Sequence, residues 1–425
     1  MHSNGSQINL NEVLDAPPIH FPRGLSRLMW LCFWTGVLVF CIAAVTYPSD
    51  LLWGAYFTSA VFFMGLSVGG VVIAIIFQIV RATWPTSIRR LAEAGVAYFP
   101  WAFLSIMLTY FGRHHLFPWA NRPMPGKEWW MQPDFVYGRQ AVLLAFLFFI
   151  LWRFVRLSLR ADIGMLRERF AGQNRWVGWP YPNLIKGWRG LSVEVPAVQN
   201  AMSRIAPVLI FCYAVIYSLF AFEFVMAMDP IWISNLFGGF YFIGNIYIAF
   251  AMMMLLNYYL SRINKDYAKV ITSDTRWDLG KLTYGFCIFW GYFFFSQFLP
   301  QWYGNLPEET QWMILRTREY PWKSLGWITF SMCFVIPFIL LLSRDVKKTA
   351  ATAAATSIII LLGVWIEKYM AIMPNLSPHV IPFGAVEVGI FLGFLGMYVL
   401  SIMSFLRKFP FIPVSHPQTL GKDEW

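Results

Sequence analysis

Five ionisable side chains interrupt long apolar runs of this chain: Arg139, Glu223, Glu367, Lys368 and Glu387, with Asp229 and His379 at the rims of such runs. Charge inside a bilayer is costly, so each is a candidate for function. Their depths agree. At 1.5 Å per residue, all five lie roughly 5–10 Å below one face of the membrane. Carboxylates and bases at a common depth can neutralise one another in one polar pocket. A carboxylate there is pulled up in pKa by desolvation and down by its basic neighbours, a balance that suits reversible protonation. The chemistry implied is proton exchange, or a polar cavity for a quinone headgroup. The competing reading is a set of ion pairs that only fixes helix packing.

Ten apolar segments must position these residues: 28–47, 52–80, 91–111, 135–157, 205–226, 236–260, 282–299, 325–342, 352–373 and 381–406. Each is near the length that crosses a hydrocarbon core as a helix. The 425-residue chain is 58% hydrophobic and 13% charged, against about 25% charged in soluble domains. The expected fold is therefore an all-α integral membrane protein of about ten spans. Residues 1–27 read as a polar N-terminal arm, 28–406 as the membrane domain and 407–425 as a proline-rich tail. The first segment reads as a retained helix, not a cleaved leader.

The connecting loops alternate in charge. Roughly 25 of the 33 Lys and Arg residues fall on one side, including Arg81, Arg89, Arg90, Arg262 and Arg344. That side is expected to be cytoplasmic, with both termini on it, and the carboxylates near the outer face. The formal charge of +11 follows from this asymmetry and does not call for nucleic acid. The longest cytoplasmic connection, Arg156–Ser203, is rich in Trp, Pro and Gly and reads as packed against the membrane or a partner. The cytoplasmic halves of the spans offer only hydroxyls and amides, such as Gln78, Asn257, Thr352, Thr356 and Ser357. "GLSVGG" (Gly65–Gly70) lies within a span, where small residues serve close helix packing.

No cofactor of the chain's own is expected. Transmembrane haem needs facing axial ligands, and His2, His20, His114, His115, His379 and His416 all lie away from span centres. The five cysteines form no CxxC or CxxCH and read as small apolar residues.

Three runs carry a resemblance: "WDLGKLTYGFCIFWGYFFFSQFLPQWYGNLPEETQW" (Trp277–Trp312), "FEFVMAMDPIWISNLFGGFYFIGN" (Phe222–Asn245) and "GRHHLFPW" (Gly112–Trp119). They resemble the polysulfide-reductase membrane-anchor family, called NrfD-like. More narrowly, they are similar to the anchor subunits of alternative complex III, a bacterial quinol:cytochrome c oxidoreductase. The resemblance covers nearly the whole chain and implies two four-helix bundles plus two extra helices. The quinol-oxidising anchor of such complexes has a histidine in a Gly-rich second span. Here that stretch, "VFFMGLSVGGVVIAII" (Val61–Ile76), has none, which fits the second anchor. The role implied is a non-redox subunit of the bacterial inner membrane, beside the quinol-oxidising sister and carrying a proton pathway. Haem c and iron–sulfur clusters would belong to partner subunits, with lipids and a terminal oxidase as further candidate partners. A secondary transporter is the remaining alternative. Its paired Gly/Pro breaks near the midplane are not seen, since the prolines gather at span ends.

Overall fold

The structure is a computed structural model and describes residues 19–82, 84–169 and 180–415. Among the described residues, ten helices are long and apolar enough to cross a membrane. They are α1 (Arg23–Thr46), α2 (Ser49–Ile79), α3 (Thr86–Leu108), α4 (Pro133–Arg169), α5 (Leu191–Met228), α6 (Phe237–Ile263), α7 (Ser273–Gly304), α8 (Trp322–Leu342), α9 (Ala350–Leu376) and α10 (Ala385–Lys408). No strand occurs among the described residues. The chain is an all-α, multi-pass membrane protein.

Helices α2 to α5 pack as one four-helix bundle and α6 to α9 as a second; α2 contacts α6 and α9, and α1 pairs with α10 along the flank. Helix α2 is the shared wall, and 94% of its most apolar stretch is buried. Its small residues permit that position. A Cβ on Gly65 would stand 2.2 Å from Asn245 Oδ1, and one on Gly69 would stand 2.3 Å from the Asn245 carbonyl oxygen. The glycine run is thus what lets α2 and α6 meet at backbone distance.

Proline breaks are repaired by side chains. Pro337 in α8 has no N–H to offer Cys333 O, and Tyr247 Oη donates to that oxygen at 3.1 Å. Pro374 in α9 likewise leaves Met370 O without its helical donor, and Arg316 Nε donates to it at 2.7 Å. Arg316 also reaches Ala371 O and Asn375 Oδ1, and its guanidinium lies 3.9 Å from the Trp312 ring, which stacks on Trp232 at 3.9 Å. Burial pushes the Arg316 pKa down to about 9, opposed by the Asp229 carboxylate, so it stays cationic at neutral pH.

Two boundaries differ from expectation. The Arg156–Ser203 connection is largely helix: α4 runs on to Arg169 and α5 begins at Leu191. Ile163, Met165 and Leu166 continue the apolar stripe past the basic residues and pack on Ile185 and Val414. Helix α4 has 37 residues, or ~55 Å, well beyond a hydrocarbon core of about 30 Å. The described part of the tail, residues 409–415, is non-helical, as its prolines require, and is not a free arm. Phe411, Ile412 and Val414 are buried. Most of the expected N-terminal arm lies outside the described residues, and α1 already starts at Arg23.

Side-chain contacts sort into two faces. Tyr47 meets Glu387 and Asp50 meets His115 at one face, while Gln78 meets Ser203 and Ser26 meets Arg407 at the other, where the basic loops lie. The positive-inside rule predicts a cytoplasmic location for this basic face. A single cysteine at exposed Asn121 should react with an impermeant thiol reagent added outside, and one at exposed Lys186 should not. The reverse labelling would overturn the orientation. Gln173, another choice on that connection, lies outside the described residues.

Candidate functional site

Glu223 sits on a π-helical turn, Ala221–Val225, near the end of α5. Such a turn inserts an extra residue into the helix and often marks a functional position. Here it presents a buried carboxylate to α4. Oε1 accepts from Arg139 Nη2 at 2.6 Å, and Oε2 accepts from Gln140 Nε2 at 2.6 Å. Arg139 is held flat by aromatic rings, 3.9 Å from Trp130 and 4.5 Å from Phe135, and donates to Trp130 O. Its Nε and Nη1 have no protein acceptor, which leaves it capacity for a further bond. Glu223 also lines an open cavity of about 300 Å³ together with Lys127, Trp130, Phe222, Met226 and Asp229. Such a cavity can admit water or a small polar headgroup from the face opposite the basic loops.

The second pair lies in α9. Lys368 Nζ donates to Glu367 Oε1 at 3.0 Å, and Trp290 Nε1 donates to Oε2 at 3.1 Å. The ammonium lies 3.9 Å from the Tyr241 ring centroid. This pair is sealed inside the second bundle: Lys368 is 1% exposed.

Glu387 was expected about two turns inside the tenth span. The structure starts α10 at Ala385, because Pro382 and Gly384 end the approach in extended backbone, and Glu387 falls in the first turn. Its Oε2 accepts from Gly384 N at 2.8 Å and its Oε1 from Tyr47 Oη at 3.3 Å, which is helix capping. Asp229 Oδ1 accepts from Ile231 N and Trp232 N and shapes the turn after α5. His379 lies in the exposed loop before α10. The structure therefore brings Arg139 to Glu223 and Lys368 to Glu367, with Glu387 apart. Among the described residues, no hydrogen bond joins these three groups.

The expectation that the basic-face halves hold only hydroxyls and amides does not stand. Helix α3 begins at Thr86, so Arg89, Arg90 and Glu93 occupy its first two turns and face inward, all buried. Arg90 bridges Glu93 and Asp162, the latter on the extension of α4. Arg89 donates to Glu93 at 3.2 Å and to Gln78 at 2.8 Å, and Gln78 donates to Ser203 at 2.9 Å. The chain's own tail closes the network: Ser415 N and Oγ both donate to Asp162 Oδ1, at 2.9 and 2.6 Å. The available signal was the R-R-x-x-E spacing, which puts both arginines within reach of one carboxylate on a helix.

A second signal lies in the carboxylates themselves. Glu223 and Glu367 each open the pattern E-x-x-M-A-x-x-P, in the last helix of their respective bundles. The two bundles thus repeat one device, a buried acid before a proline-terminated turn. In the first it opens to a cavity; in the second it is sealed. Between the two polar zones, Tyr217 Oη, Tyr241 Oη and the amides of Asn245 and Asn257 are buried without protein partners, so each can bond an internal water.

No family model matches the chain, and no curated protein matches it.

Proposed function

We propose that this chain is an integral membrane subunit of a bacterial quinol:cytochrome c oxidoreductase of the alternative complex III type. It stands beside a quinol-oxidising sister, holds periplasmic haem c and iron–sulfur subunits at the face opposite the basic loops, and provides a proton exit through the Glu223 site. One observation carries the reading. The runs that resemble the NrfD-like anchors supply Glu223 itself and aromatic partners of the second acid–base pair. Phe222–Asn245 carries Glu223 and the Tyr241 that covers Lys368, while Trp277–Trp312 carries Trp290, bonded to Glu367, and Trp312, stacked on Trp232. Rigid aromatic and proline-rich outer connections, including the helix Pro307–Thr317, suit contact with partner proteins.

The test is purification of the tagged full chain in mild detergent from its native membrane. Haem c absorbance and non-haem iron should co-purify in stoichiometric amounts, and the chain separated from its partners should be colourless. Co-purification without haem c or iron would overturn the assignment. A purely structural anchor is the second reading, favoured by the ion-pairing of both Glu223 and Glu367. It keeps the assembly and loses the proton pathway.

A further inference from the structure

Several cations of the basic face are already satisfied. Arg160 pairs with Glu194 and donates to the carbonyls of Leu184 and Lys186; Arg276 donates to Lys348 O; Arg407 donates to Ser26 Oγ. The short helix Arg344–Lys348, between α8 and α9, is different. Among the described residues, neither Arg344 nor Lys347 pairs with a carboxylate, although Lys281 is held by Asp278 at 2.6 Å and Lys348 by Asp274 at 3.3 Å. Asp345, on the same helix, is exposed.

These cations converge. Around the ring centroid of Trp277 lie Lys281 Nζ at 4.2 Å, the Arg344 guanidinium at 5.0 Å and Lys348 Nζ at 5.3 Å. Lys347 is only 8% exposed, and its stem is packed on Gly280, where a Cβ would stand 2.7 Å from its Cγ. Burial, and then the neighbouring Lys281 charge, push the Lys347 pKa down. Cations gathered this closely repel one another, so an incoming anion is favoured there.

The height of the cluster says which anion. Trp277 is in the second turn of α7, and the Arg344–Lys348 helix follows the end of α8 directly, so both lie where spans meet the headgroups. Just below, Ile339 and Leu342 of α8 are exposed as apolar surface. We propose that Lys281, Arg344 and Lys348 around Trp277, with Lys347 of the same short helix over the neighbouring Tyr284 ring, form a binding site for the phosphate of an anionic phospholipid, whose acyl chains lie along Ile339 and Leu342.

The test uses the full chain in its natural assembly, delipidated in detergent and loaded with photoactivatable phosphatidylglycerol. Cross-linking to residues 336–348 should fall about thirtyfold in the Arg344→Gln, Lys347→Gln double variant and about fivefold in Arg344→Gln alone, from the contribution of each cation near a membrane surface. Arg344 is exposed, so the single variant keeps the test valid if the double variant does not fold. Lys347→Arg should retain the cross-link, and photoactivatable phosphatidylcholine should give little. Unchanged cross-linking in Arg344→Gln, or equal labelling by the neutral lipid, would overturn the proposal. Inorganic phosphate in excess should not compete. If it abolishes the cross-link, the site takes free phosphate and the lipid assignment fails.

Discussion

In the intact assembly, Glu223→Gln is expected to lower proton release coupled to quinol oxidation by roughly a hundredfold, the low end of what a positioned proton-transfer group contributes. The substitution keeps side-chain volume and leaves an oxygen for Arg139 or Gln140, while removing the ionisable proton site. Arg139 then keeps its aromatic clamp, so the chain should still assemble. Glu387→Gln is the matched comparison, since Glu387 is equally buried but engaged in capping. It should cost about 1 kcal/mol of stability, as lost caps do, and leave proton release near wild type. The measurements are pH change and cytochrome c reduction by the purified assembly in vesicles. If Glu223→Gln retains both turnover and proton release with assembly intact, the carboxylate is a packing element and the structural-anchor reading stands.

The second large effect concerns the other face. Arg90→Ala should cost about 3–5 kcal/mol, because it strands Glu93 and Asp162 as buried charges without their shared partner. That is enough to remove most of the chain from the membrane at growth temperature. Exposed Arg318→Ala should have no measurable effect. Arg90→Lys should also be poor, since a point charge cannot fork between two carboxylates as a guanidinium does. Replacing Arg90 and Asp162 together by apolar residues of similar volume should be milder than Arg90→Ala alone, because Glu93 keeps Arg89 and no buried charge is then left without a partner. Thermal melting in detergent and membrane abundance report the outcome. An Arg90→Ala protein with wild-type melting and yield would show that the network carries no stability.

Much of the architecture was legible in the sequence because apolar length is a strong signal. Ten runs became ten helices, with ends displaced by a few residues where capping chemistry, not hydropathy, sets them, as at Glu387. The acids and bases of the spans were visible for the same reason: charge stands out against an apolar background. Their partners were not. Nothing in sequence says that Arg139 faces Glu223 rather than Glu367, because that depends on how α4 and α5 rotate against each other and on a π-helical turn that shifts the register by one residue. The basic-face network was missed for the converse reason. Arg89, Arg90 and Asp162 lie among loop-like charges, and their burial arises only because α3 and α4 extend beyond the apolar runs. Nor does the sequence say that Arg316, between two spans, replaces the donor that Pro374 lacks; that depends on the fold.

The closure of Asp162 by Ser415 also orders events in time. The acceptor is made early in synthesis and its last donors 253 residues later, after all ten described spans. Until then Asp162 lacks the two bonds from Ser415, and helices α3 and α4 are joined at the basic end without that lock. The last span must therefore be in place before this buried acid is fully satisfied, and a chain terminated before Ser415 would keep Asp162 without those two bonds.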